Sequence, residues 1–211
     1  NFFATQDHVD MFLGAFPEID KDDASINIVG WPMEYMPDIL STVKTDKKKD
    51  LVLFPHRLAP EKQLEIFEDL AEELKDHVEF VVCQKKKLSK KQYHAMLGKA
   101  KIVFSANLQE TLGISWYEGA LVGTVPMVPD RLSYTEMENT GKFLYPSEWT
   151  ESFDSYKEHK DKVIERIVDY MENYDNYLVD LNKLTTHLNE NYFSCKNLLE
   201  KLQLDNGNPL P

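Results

Sequence analysis

The chain has 211 residues, with 36 acidic and 24 basic side chains and a formal net charge of −12. A field of that sign disfavours non-specific binding to nucleic acid or to an anionic bilayer. Hydrophobic residues make up 42% and aromatic residues 11%, enough for a packed core and too many for global disorder.

Residues 6–16 carry Val9, Phe12, Leu13 and Phe16 on one helical stripe that stops before Pro17. An acidic loop (18–23), a short apolar run (26–29) and the breaker Gly30-Trp31-Pro32 follow, then a charged connector over 42–50. Residues 1–45 therefore read as the remnant of a preceding domain and its linker. The start, Asn1-Phe2-Phe3-Ala4, has neither an initiator Met nor a signal-peptide layout and reads as a piece of something longer.

From residue 46 the rhythm becomes regular. Apolar runs at 51–54, 78–83, 102–105 and 125–128 predict strands, and 143–145 a last edge strand. Between them lie helical patterns near 62–74, after the N-cap Ser89, at 114–121 and, in shorter form, at 134–138. Continuous apolar strands alternating with amphipathic helices predict an α/β domain over 46–150, a Rossmann-like parallel sheet with helices on both faces. Residues 151–205 are polar and glycine-free and predict C-terminal helices; 206–211 reads as a frayed tail. Cys83 and Cys195 form neither a disulfide framework nor a metal-ligand spacing, which makes a reducing, cytoplasmic setting the expectation. No apolar run approaches the ~18–20 residues that span a bilayer.

Two polar clusters follow predicted strands and lead into predicted helices. The first is Pro55-His56-Arg57-Leu58-Ala59-Pro60-Glu61-Lys62, and the second runs from Glu110 through Thr111, Leu112 and Gly113 to Glu118. Ligands of open parallel sheets bind at the carboxyl ends of strands. Arg57 and Lys62 on one such loop suit a diphosphate. Glu110 and Glu118 suit vicinal hydroxyls, and Gly113 permits close approach of backbone N–H groups to a phosphate. Either cluster alone reads equally well as ordinary charged residues at a helix start. Asp20-Lys21-Asp22 reads as a solvated turn rather than a metal site, and Lys85, Lys86, Lys87, Lys90 and Lys91 as a solvated helix start rather than a polyanion site.

Together the clusters resemble the C-terminal donor-binding domain of retaining glycosyltransferases of the GT-B fold, the GT4-like family. Its motifs Gly-Arg-Leu-x-x-x-Lys and Glu-x7-Glu match Arg57-Leu58 with Lys62 and Glu110 with Glu118, and Gly123-Thr124-Val125-Pro126-Met127-Val128 resembles its Gly-x-Pro-Val-Val strand. The departure is Pro55-His56 where a Gly commonly stands. The resemblance implies that Arg57, Lys62 and Glu110 act at the reacting centre. Arg57 and Lys62 would hold the donor diphosphate, Glu110 the transferred sugar, Thr111 to Gly113 the phosphates through their backbone, and Glu118 the ribose. It also implies a nucleoside-diphosphate sugar as the donor, no cofactor or metal, and an acceptor-binding N-terminal domain as the partner of this half. A nucleic-acid acceptor is disfavoured by the charge. The alternatives are a sugar-nucleotide epimerase of the same architecture and a non-catalytic nucleotide-sugar-binding domain.

Overall fold

The computed structural model describes residues 1–23, 25–45 and 47–205, so the expected tail at 206–211 lies outside the described residues. Its centre is a five-stranded, all-parallel sheet: β3 (Lys49–Phe54), β4 (Glu79–Val82), β5 (Ala100–Phe104), β6 (Val125–Pro129) and β7 (Leu144–Tyr145), in the order β4-β3-β5-β6-β7. The register is in step across the centre, with Val52 opposite both Phe80 and Ile102, and Ile102 opposite Val125. Val52, Leu53, Phe54, Ile102, Phe104, Val125, Met127 and Val128 are fully buried, as continuous apolar strands covered on both faces must be.

The covering helices are α3 (Leu64–Glu73), α4 (Lys90–Lys99), α5 (Ile114–Leu121) and the short α6 (Ser133–Met137). Right-handed crossovers from this strand order place α3 on one face and α4 and α5 on the other. Accordingly α3 packs with α7 (Phe153–Glu172), α4 with α5, and α5 with α8 (Tyr174–Asn191); α9 (Lys196–Asp205) ends the described chain. Ser89 caps α4 with a full capping box: its side chain accepts from the Gln92 amide, and the Gln92 side chain accepts from the Ser89 amide.

Before the sheet stand α1 (Gln6–Ala15) and two features absent from the sequence reading. One is a two-stranded parallel pair, β1 (Phe2–Phe3) with β2 (Asn27–Ile28), too short to show a period of two. The other is α2 (Tyr35–Leu40), whose Pro37 falls in the first turn, where no intrahelical N–H is required. Met33, Met36 and Leu40 join the main core. Of the stripe expected on α1 only Val9 is buried, and Phe16 is exposed. The Asp20–Asp22 segment is an exposed turn in which the Asp22 amide donates to Asp20 Oδ1 at 3.0 Å. Among the described residues no helix is long and apolar enough to cross a membrane.

Candidate functional site

The sheet order reverses between β3 and β5, because the chain leaves β3 toward β4 and leaves β5 toward β6. A crevice opens at the carboxyl ends of strands at such a switch point. The loops that flank it are 55–63, after β3, and 105–113, after β5. Both predicted clusters therefore stand at one place. A cavity of about 500 Å³ there is lined by Arg57, Lys62, Glu110, Thr111, Leu112 and Gly113, together with His56, Trp31 and the first residues of α5.

The two loops are fastened to each other. The Leu108 amide donates to Glu61 O at 2.8 Å, and Gln63 Nε2 donates to Ala106 O at 2.6 Å. Arg131, which the sequence reading missed, clamps the second loop: Nε donates to Asn107 O at 2.7 Å and Nη2 to Ala106 O at 2.9 Å. Donors held this way cost little to reorganise when a ligand arrives.

Lys62 closes a short 3-10 turn (Pro60–Lys62) and is 5% exposed, far from the solvated residue that a helix start would allow. Its ammonium donates to Gln109 O at 2.5 Å and to Glu110 Oε2 at 3.1 Å. An ammonium has three N–H donors, so one remains for a ligand in the cavity. Glu110 also accepts from Asn107 Nδ2 at 2.9 Å through Oε2 and from the Thr111 amide at 3.0 Å through Oε1. Burial pushes the Glu110 carboxyl up, but the Thr111 amide and Lys62 outweigh it and hold the group below its ordinary value. Glu110 is thus a carboxylate at neutral pH.

His56 stands where the resembling family carries glycine. It is 7% exposed, and burial pushes its imidazole down to about 4, so the ring is neutral. Its Nε2 donates to Phe104 O at 3.1 Å, which leaves Nδ1 to accept from Asn107 Nδ2 at 3.4 Å. Asn107 Nδ2 also reaches the Tyr134 hydroxyl at 3.3 Å, and its Oδ1 is buried without a partner among the described residues. Asn107 and Tyr134 were missed as well. Asn107 had a signal, three residues before Glu110 on the same strand-end loop, whereas Tyr134 had none.

Gly113 precedes α5 with φ +63°, and a Cβ there would lie 2.6 Å from Tyr134 Cε1 and 2.7 Å from Trp116 Cδ1. Only glycine satisfies both the backbone and the space. The first N–H groups of α5 lack intrahelical partners and carry the positive end of its dipole at this cavity. Arg57 is exposed, with its guanidinium paired to Glu61 one turn on. Such surface pairs are worth little, so the guanidinium is free to turn toward an anion.

Glu118 does not line this cavity. It is 7% exposed on α5, with Oε1 3.3 Å from Nε2 of His94 on α4, itself 5% exposed. Lys85 is exposed and paired with Glu68, and Lys86, Lys87, Lys90 and Lys91 are exposed. Among the described residues no group of three or more His, Cys, Asp or Glu is placed to hold a metal ion.

No family model and no curated protein matches the sequence. The fold, however, is similar to solved structures. TarM aligns over 96% of this chain and 42% of its own at TM-score 0.65 and 16% identity. The pneumococcal O-GlcNAc transferase GtfA, solved with UDP and GlcNAc, aligns over 97% and 44% at 0.63 and 14%. HepE from Anabaena, solved with UDP and glucose, aligns over 98% and 62% at 0.64 and 11%. The chain spans less than two thirds of the length of each. Its fold is that of a Rossmann-like domain of GT-B glycosyltransferases.

Proposed function

We propose that the chain is the donor-binding half of a retaining glycosyltransferase that uses a nucleoside-diphosphate sugar. The observation that carries this reading is the convergence at the switch point: a buried ammonium with a donor to spare, a carboxylate held ionised beside it, and a glycine-started helix N-terminus, all on one cavity. Lys62, Arg57 and the first N–H groups of α5 bind the diphosphate. As the bond from the anomeric carbon to the diphosphate oxygen breaks, they stabilise the charge left on the departing group. Glu110 binds hydroxyls of the transferred sugar, the amides of Thr111 to Gly113 lie along the phosphates, and Glu118 binds the ribose. The scheme draws its positive charge from the chain's own cations and needs no metal. A further domain supplies the acceptor.

Uridine is the first nucleotide to try, since the solved structures of GtfA and HepE hold UDP. Calorimetric titration with UDP, GDP and ADP, then with their sugar conjugates, tests the reading. It expects saturable binding of one nucleotide family that weakens in Lys62→Ala. Binding of none of them removes it.

A further inference from the structure

Trp31 is the most exposed tryptophan of the three, at 57%, and it shares the cavity of Lys62 and Glu110. An exposed indole on a loose loop would mean little, but this one is not loose. The Trp31 amide donates to Tyr192 O at 2.6 Å and the Met33 amide to Phe193 O at 2.8 Å, which pins the segment to the end of α8. Gly30 before it has φ +73°, and a Cβ there would sit 2.4 Å from Tyr192 O. The backbone is thus fixed on both sides of a side chain left largely in solvent. The same cavity is lined by groups of the opposite character: the Lys62 ammonium, the Glu110 carboxylate, Thr111 and Ser115.

An exposed indole and charged or hydroxyl groups on one cavity fit a pyranose, whose C–H face is apolar and whose edge carries hydroxyls. We propose that Trp31 is the platform on which the transferred sugar of the donor stacks while Glu110 holds its hydroxyls. The inference rests on reading the cavity as a donor site and adds the residue that recognises the sugar by its face. A preference follows: sugars with an uninterrupted C–H face bind better than those with an axial hydroxyl projecting from that face.

The test reads indole emission. Trp116 is 1% exposed and Trp149 packs against Tyr145, so the difference between the wild-type chain and Trp31→Phe isolates Trp31. Titrations use UDP, GDP and ADP, each bare and as the glucose, mannose or N-acetylglucosamine conjugate. The sugar conjugate that binds is expected to shift the Trp31 signal, and its bare nucleotide is not. Trp31→Ala is expected to weaken the conjugate about fivefold to tenfold, the scale of one aromatic contact, and to leave the bare nucleotide unchanged. Trp31→Phe should keep most of the affinity. A conjugate that binds through Lys62 yet ignores Trp31 in emission and affinity overturns the platform and leaves the donor reading standing. Binding of no nucleotide overturns both.

Discussion

The same sheet carries a buried lysine at one end and a half-buried one at the other, and the two are used differently. At the carboxyl end, Lys62 makes two hydrogen bonds, one of them to a carboxylate, and keeps a third N–H toward a cavity. At the amino end, Lys48 Nζ donates to Val122 O at 2.8 Å, Ala100 O at 3.0 Å and Thr124 Oγ1 at 3.1 Å. Burial pushes it down to about 7. The cavity beside Lys48 is the larger of the two, about 900 Å³ against 500 Å³. Volume alone favours the amino end. What separates them is that all three Lys48 donors are used up inside the chain, one on Val122 O at the end of α5, one on Ala100 O at the start of β5 and one on the Thr124 hydroxyl. Lys62 retains capacity where α5 begins. One helix thus runs from a ligand-ready end to a sealed one.

Removing Lys62 should have the largest effect. Lys62→Ala strands Glu110 in a largely buried site, and losing one member of such a pair costs about 3 kcal/mol of stability. It should also weaken nucleoside-diphosphate binding by about 1.5–3 kcal/mol. Adding Glu110→Gln should restore part of the stability and none of the phosphate binding. Denaturant unfolding and calorimetry on the three variants check this. Glu110→Gln alone should weaken only the sugar-bearing ligand, and an equal loss with the bare nucleotide would reject its assignment to the sugar.

Lys48→Met should do the reverse: about 2 kcal/mol less stable, from carbonyls left without donors, with nucleotide affinity intact. Its pH signature is distinctive. The folded value of about 7 lies below the ordinary 10.5, so the unfolded chain holds the extra proton between them and stability rises with pH across that window. The variant should lose that rise in unfolding experiments at pH 7 and pH 10. A similar sign holds for His56 on the acid side. Its folded value of about 4 lies below the ordinary 6.5, so stability falls as pH drops from 6.5 toward 4. His56→Gln should flatten that acid limb by roughly 2 kcal/mol, measured as the difference in unfolding free energy between pH 7 and pH 5.

The sheet was legible because parallel strands buried on both faces must be apolar throughout, as 51–54, 102–105 and 125–128 are. The two loops were legible because their charges break those runs where strands end. The fastening was not. Arg131 clamps the second loop from the turn after β6, and Tyr134 reaches Asn107 from α6, and neither contact leaves a local pattern in sequence. His56 was visible only as a departure from glycine, and its neutrality depends on burial that no spacing reveals. Glu118 shows the opposite limit. Its spacing from Glu110 suggested a shared ligand, and what no spacing reveals is that it is buried against His94 of α4, beyond the lining of that cavity.

The smallest effect belongs to Glu118, and it decides how far the donor site extends along α5. Its carboxylate is buried beside His94 and away from Lys62, so it has no part in holding phosphate. As a ribose contact it should matter only to ligands that carry the hydroxyls it would accept from. Glu118→Gln keeps the volume and removes the charge. It should weaken UDP, or whichever diphosphate binds, by about 1 kcal/mol, the worth of one hydrogen bond, and leave the 2′-deoxy analogue nearly unaffected. The preference for ribose over deoxyribose would then shrink by about fivefold. His94→Gln, which loosens the carboxylate without removing it, should give the same change in weaker form. Calorimetry with the paired ribose and deoxyribose ligands measures both. If the preference survives in Glu118→Gln, the glutamate is only the buried partner of His94, and the nucleoside is held by other groups.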